Sequence, residues 1–315
     1  MKQNIESTWS LVGWILGCVS LTVSIPWLIY QLIGGINSRR ARCKLKEKVV
    51  MITGASSGLG ESLAHSFYKA GCRVILSARR QNELERVRND LLAMHVTVPT
   101  HPPVILPLDL SDLNSLPERI TQALAIFGHI DVLIHNGGIS NRGDILSTNV
   151  DVAIKVMVVN YFGQMALTKA VLPSMIDRRS GHIVTISSVQ GRIAIPYRSA
   201  YAASKHALQA FYDTLRAEIA KYNITVSVIS PGYIATAMSI NALTGSGEQY
   251  GAMDESTASG YKPEYVAEKI LLAVAESKKE LIIAPLAPRL AILIRTIAPS
   301  LYFWIMKRRA ERAVN

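Results

Sequence analysis

Residues 49–60 read Val49-Val50-Met51-Ile52-Thr53-Gly54-Ala55-Ser56-Ser57-Gly58-Leu59-Gly60. A strand-forming run leads straight into a three-glycine turn, and a helix-patterned segment follows. Such a turn points backbone N–H groups and the positive end of a helix dipole at whatever fills it, and a dinucleotide pyrophosphate is the natural ligand. Gly54 permits the turn, Gly58 allows close backbone approach, and Gly60 lets the helix pack on the strand. Alone, three glycines are not specific; the flanking sequence must supply the context.

Outward from this turn, short β-branched runs alternate with helix-length amphipathic segments, as in successive βαβ units. The pattern predicts strands over 49–53, 73–77, 104–108, 132–135, 182–187, 225–229 and 281–283, with helices such as 59–70, 82–94 and 201–222 between them. Pro99, Pro102 and Pro103 mark a loop before the third strand. The fold class is α/β: a single doubly wound Rossmann-fold domain over 49–283, with a parallel sheet of about seven strands. Residues 237–262, rich in Gly, Ser and Thr, read as a mobile insertion placed where a substrate lid would be useful.

The net charge of +11 sits at the ends. The block 39–48 carries six basic residues against Glu47, and 284–315 carries six against Glu311. The body between them is nearly neutral and has no basic face with interleaved aromatics, which argues against nucleic acid and for anionic lipid headgroups at the flanks. From Ser7 to Ile36 there is no charged residue, and Trp9 to Ile33 exceeds the roughly 20 apolar residues of a membrane-crossing helix. Residues 1–38 therefore read as an uncleaved N-terminal transmembrane anchor and 39–48 as a basic juxtamembrane linker, which by the positive-inside rule puts the body in the cytosol. The sequon Asn223-Ile224-Thr225 abuts a predicted core strand and matters only if the body is lumenal. The apolar segment 284–315 is broken by Pro285, Pro288 and Pro299, so it reads as a membrane-interfacial element or as a cover over the substrate pocket. Cys18, Cys43 and Cys72 form no pair or metal-ligand pattern with the histidines, so no metal is expected.

At the end of the second strand, where an acid would hold the ribose 2′-hydroxyl of NAD, the sequence is Ser77-Ala78-Arg79-Arg80. Arginine suits a 2′-phosphate by charge and geometry, which favours NADP(H) over NAD(H). Asp109, after the third strand, is placed either to contact adenine or to cap the following helix. Tyr201-Ala202-Ala203-Ser204-Lys205 sets a phenol and an ammonium on one helical face. The cation is expected to lower the phenol from its usual pKa of about 10. That spacing is common; Ser188, at the end of a predicted strand, makes it specific, since its hydroxyl can hold a substrate carbonyl oxygen.

These residues together resemble the short-chain dehydrogenase/reductase family, and within it a membrane-anchored group. The resemblance runs from about Lys48 to Ile283 and rests on Thr53-Gly54 through Gly60, Asn160-Tyr161-Phe162-Gly163, Ser199 through His206 and Ile229 through Ile234. It implies a catalytic set of Asn160, Ser188, Tyr201 and Lys205, with Asn160 supporting a proton-relay water near the lysine. It implies dinucleotide contacts from Gly54, Ser56, Ser57, Gly58, Leu59, Gly60, Arg79, Arg80, Asp109, Leu110, Asn136 and Thr236. Tyr201 and Lys205 join that cofactor set, and Thr236 would bond the nicotinamide carboxamide. It further implies a homodimer through the helices leading from Asn160 and Tyr201, and an endoplasmic reticulum or peroxisomal membrane. One stretch departs from the family pattern: Asn-Asn-Ala-Gly becomes His135-Asn136-Gly137-Gly138, which is expected to loosen a turn without making His135 catalytic.

The function expected is oxidoreduction between a carbonyl and an alcohol on a lipophilic substrate beside membrane lipid. The alternatives are an epimerase or dehydratase sharing Tyr-x-x-x-Lys, and a catalytically idle dinucleotide-binding membrane scaffold.

Overall fold

A computed structural model describes residues 42–312, with positions 25 and 40. The anchor expected over 1–38 lies, but for Ile25, outside the described residues. The chain divides into two compact units, Met1–Lys44 and Leu45–Asn315, and the sheet and the site belong to the second. Its elements are β1 (Val49–Thr53), α1 (Gly58–Lys69), β2 (Arg73–Ser77), α2 (Gln81–Leu92), β3 (Val104–Ile105), α3 (Leu116–Phe127) and β4 (Val132–His135). There follow α4 (Val150–Met157), α5 (Gly163–Arg178), β5 (Gly181–Ile186), α6 (Ser199–Glu218), β6 (Ile224–Pro231) and α7 (Glu255–Ala258). The last are α8 (Pro263–Ala275), β7 (Glu280–Ile283), α9 (Leu286–Ile297) and α10 (Pro299–Arg312).

The seven strands lie in the order β3-β2-β1-β4-β5-β6-β7, and every pairing is parallel. A parallel sheet is covered on both faces, which explains why β1 is an unbroken apolar run with every residue buried. Val49 and Met51 join the core under α3, α5 and α6, built from side chains such as Leu116, Leu167, Val171, Leu208 and Tyr212. Val50 and Ile52 point to the other face by the two-residue strand period, where α1 packs on α8. The chain moves outward from β1 to β3 and then returns to the far side of β1 with β4. That reversal opens a crevice at the carboxyl ends of the strands, the place where such sheets bind ligands.

Among the described residues, Val150–Arg178 is the one helix long and apolar enough to cross a membrane. Its Val159, Leu167, Val171 and Met175 are buried in the sheet core, so its apolar character serves the fold. This helix is interrupted: Val158–Phe162 takes π-helical hydrogen bonds between α4 and α5.

The strands expected at 49–53, 73–77 and 132–135 fall on β1, β2 and β4. The third is shorter than its expected span of 104–108, with regular pairing to β2 only over Val104–Ile105, and Pro107 falls on the open-edge side of this outermost strand, where no partner needs its N–H. Leu106 and Leu108 still donate to Leu76 and Ala78 at 2.9 and 3.1 Å. The sixth runs two residues further than expected, since Ser230 and Pro231 pair with Ile282 and Ile283 of β7. Asn223 occupies an exposed left-handed turn before β6 (φ 57°) and donates to the Arg179 carbonyl.

Candidate active site

Gly54 turns the chain after β1 at φ 67°, a left-handed conformation that costs glycine nothing. A Cβ on Gly54 would come 2.7 Å from Gly137 Cα, and one on Gly60 would come 2.0 Å from the Gly54 carbonyl oxygen. Gly60 therefore serves helix packing and lies off the cavity wall, whereas Gly54, Ser56, Ser57, Gly58 and Leu59 line a cavity of about 810 Å³. No side chain caps α1 at Ser57, which leaves the first-turn N–H groups to a ligand. A glycine cradle with an uncapped helix N-terminus fits a pyrophosphate.

Arg80 reaches back from the end of β2 and donates to Ser56 Oγ and Ser57 Oγ at 3.2 and 3.3 Å. Its guanidinium thus sits beside the turn, and Arg79, Leu110, Asn136 and Thr236 line the same cavity. Asp109 lines it too, but its carboxylate accepts from Ser111 N and Oγ at 2.9 and 2.8 Å, so it holds its own turn.

The turn after β4 is not loose. Asn136 N and Gly137 N both donate to Thr53 Oγ1 at 3.0 Å, and Asn136 Nδ2 donates to the Thr53 and Gly54 carbonyls. A Cβ on Gly137 would press 2.7 Å from Leu110 Cδ1, so the first of the two glycines makes room for that leucine. His135 is fully buried, with Nε2 2.8 Å from Thr168 Oγ1, which is itself 3.0 Å from Tyr212 Oη. Burial pushes its pKa down to about 3, so the ring is neutral and structural.

Ser188, Tyr201 and Lys205 converge on the cavity. Ser188 follows β5, accepts from Gln190 N at 3.1 Å and donates to the Pro231 carbonyl at 3.4 Å. Tyr201 stands in the first turn of α6, its amide tied to Asn141 Oδ1 at 2.9 Å. One helical turn on, Lys205 donates to the Ile186 carbonyl at 2.8 Å. Burial lowers the lysine pKa to about 8. Burial also raises the Tyr201 phenol above its usual value; the Ser188 hydrogen bond, then Arg198 and Arg142, oppose it. Desolvation therefore outweighs the lowering that the Tyr–Lys spacing leads one to expect, and the nearby cations that pull the phenol down are two arginines.

Asn160 is reached through the π segment, which rotates it inward. It is fully buried, accepts from Ile139 N and donates to the Ile139 carbonyl, both at 2.8 Å, and donates to Ser204 Oγ at 3.0 Å. It lies behind the cavity wall: a Cβ on intervening Gly138 would come 3.0 Å from its Oδ1 and 3.8 Å from Lys205 Nζ.

Sequence reading missed the ionic cluster at the substrate end. Asp254, in the segment 237–262, accepts from Arg142 Nε at 2.9 Å and Arg198 Nη2 at 2.8 Å, all three side chains largely buried. Arg198 also lies over the Tyr233 ring, 5.3 Å from its centre. Isolated arginines far apart in sequence carry no local signal of convergence. Beyond the ionic cluster the wall is apolar, with Ile193, Ile195, Ile234, Met238, Leu243 and Met306. Cys72 is buried, with its thiol pushed up to about 12, and Cys43 is exposed. Among the described residues no group of three or more His, Cys, Asp or Glu is placed to hold a metal.

A glycine cradle opening beside a serine, a tyrosine and a lysine on one cavity wall defines a dinucleotide-dependent oxidoreductase. Comparison with known proteins agrees. The short chain dehydrogenase family model matches residues 48–246, and the chain belongs to the short-chain dehydrogenase/reductase family of NAD(P)-dependent oxidoreductases. It is 60% identical over 313 residues to a "Dehydrogenase/reductase SDR family protein 7-like" of Anopheles gambiae, covering 99% of each chain. It is 48% identical to "Dehydrogenase/reductase SDR family member 7B" of Bos taurus, over 98% of this chain and 92% of that one. Its fold matches a short-chain dehydrogenase from Streptomyces avermitilis with a TM-score of 0.68 at 26% identity, over 86% of this chain and all of that one.

Proposed function

We propose that the protein is a membrane-anchored, NADP(H)-dependent reductase that interconverts a carbonyl and an alcohol on a lipophilic substrate. The convergence of Ser188, Tyr201 and Lys205 beside the glycine turn carries this reading. NADPH, when bound, supplies the hydride. Ser188 orients the substrate oxygen and Tyr201 Oη gives it a proton; the reverse oxidation uses the same groups. Lys205 holds positive charge one helical turn away, and Asn160 fixes the Ile139 and Ser204 backing of the site. Arg80, beside Ser56 and Ser57, favours a 2′-phosphate, and no acid stands at the end of β2 to hold a 2′-hydroxyl. The apolar wall suits a lipophilic substrate.

The uncharged run 7–36 with the basic block after it supports an anchor with a cytosolic body, in an endoplasmic reticulum or peroxisomal membrane. The exposed outer side of α4 and the π segment, with Val150, Ile154 and Phe162, suits a homodimer contact. The deciding experiment compares NADPH oxidation over a panel of apolar aldehydes and ketones for wild type and Tyr201→Phe. Turnover lost in the variant supports the reading; equal rates sink the catalytic assignment. Protease protection in intact organelles tests the orientation, which full protection of the body overturns.

A further inference from the structure

Helix α9 has the sequence LAPRLAILIRTI, and not one of its residues is buried. Leu286, Leu290, Leu293 and Ile297 are 71, 44, 52 and 69% exposed, and their spacing puts them on a single helical face. On α10 only Tyr302 is buried, while Phe303 and Trp304 are 55 and 56% exposed. A monomer seldom leaves so continuous an apolar surface to water.

This face is not the product of an unattached helix. Tyr302 Oη donates to the Ala194 carbonyl, and Tyr197 Oη donates to the Ala310 carbonyl at 3.2 Å. Arg289 donates to the Ala284 and Ile282 carbonyls at 2.9 and 3.0 Å. The polar groups thus tie the hairpin to the body and leave its leucines outward. Cations and aromatics are interleaved there: Arg295 lies 4.9 Å from the Phe303 ring centre and Arg308 5.5 Å from that of Trp304. The inner sides of the same two helices, through Ala287, Ala291 and Met306, line the catalytic cavity.

We infer that the outer face of the α9–α10 hairpin docks on a lipid bilayer containing anionic lipid, with its leucines and Trp304 at the acyl boundary and its cations among the headgroups. The charge pattern selects this occupant. Within residues 284–312, Arg289 and Arg309 bond inward, to the Ala284 and Ile282 carbonyls and to Tyr233 Oη, which leaves Arg295, Lys307, Arg308 and Arg312 against Glu311 alone. In a two-fold contact with a second copy the patch would meet itself and oppose like charges. An anionic leaflet meets both the apolar and the cationic components. One helix then separates the catalytic cavity from the membrane.

The test uses the full chain with Trp9, Trp14 and Trp27 changed to Phe, so that Trp304 is the sole tryptophan. It is reconstituted in phosphatidylcholine–phosphatidylserine vesicles containing brominated phosphatidylcholine. Trp304 emission should fall by about two-fold or more, and by less without phosphatidylserine or at high salt. Leu290→Glu with Leu293→Glu should restore emission while NADPH binding persists. Should that variant fail to fold, Lys307→Glu with Arg312→Glu should weaken quenching only where phosphatidylserine is present. Unquenched wild type overturns the inference, as does quenching that neither pair of substitutions changes. Copy-to-copy disulfides through Leu293→Cys with unquenched Trp304 would overturn it in favour of a dimer face. None of these readouts depends on turnover, so they stand apart from the reductase assay.

Discussion

Lys205 Nζ lies 5.7 Å from the centre of the Tyr201 ring, held by the Ile186 carbonyl. The ammonium is poised beside the proton donor, and because it is buried it weakens the fold that carries it.

Lys205→Met should cut turnover by at least about 100-fold and stabilise the cofactor-free protein at pH 7 by on the order of 1–2 kcal/mol. The folded pKa of about 8 lies below the unfolded value. Between the two the unfolded chain holds a proton that the folded chain lacks, so wild-type stability rises with pH there. The variant's advantage should shrink from pH 8 upward in urea unfolding; a constant difference would refute the burial account.

Arg80→Ala should raise KM for NADPH about 10- to 100-fold, the value of a charge-assisted hydrogen bond, and leave KM for NADH nearly unchanged. Steady-state kinetics with both cofactors decides it, and parallel changes would remove Arg80 from 2′-phosphate recognition.

Asp254→Ala leaves Arg142 and Arg198 buried without their carboxylate and should destabilise the protein by about 3 kcal/mol. The arginines hold the Asp254 pKa below its usual value. Its contribution is therefore present above the unfolded carboxylate pKa and lost as pH falls through the folded one. Denaturation midpoints of variant and wild type should differ at pH 7 and converge below about pH 4.

His135 and His182 are both buried neutral, with pKa values pushed down to about 3 and about 4. Below pH 6.5 unfolding takes up a proton at each, so stability should fall by about 1.4 kcal/mol per pH unit per histidine. Chemical denaturation from pH 6 to 5 should show this slope, and His135→Asn should remove half of it. An unchanged slope in the variant would contradict the burial of a neutral ring.

Much of the fold was legible because its signals are local. The β1, β2 and β4 runs are contiguous apolar stretches, and each ends where a glycine or polar turn begins. The third strand misled because its last residues look strand-forming and still bond β2 through Leu106 and Leu108, while regular pairing stops at Ile105. The helix expected over 201–222 instead ends at Glu218 and tightens into the 3-10 turn Ala220–Tyr222, a change of pitch that residue periodicity does not mark. The π segment at 158–162 was equally silent, since its register follows from packing on the sheet.

The sequence by itself determined the glycine turn, the alternation that makes a parallel sheet, the Tyr201–Lys205 pair and the two apolar-then-basic ends. Each is written in neighbouring residues, where backbone sterics and helical spacing act directly. Only the tertiary structure decided that Arg142 and Arg198 share Asp254, that Asn160 works from behind the wall, and that burial governs the Tyr201 and Lys205 pKa values. Those properties depend on desolvation and on partners as far as 112 residues apart, which no local pattern encodes.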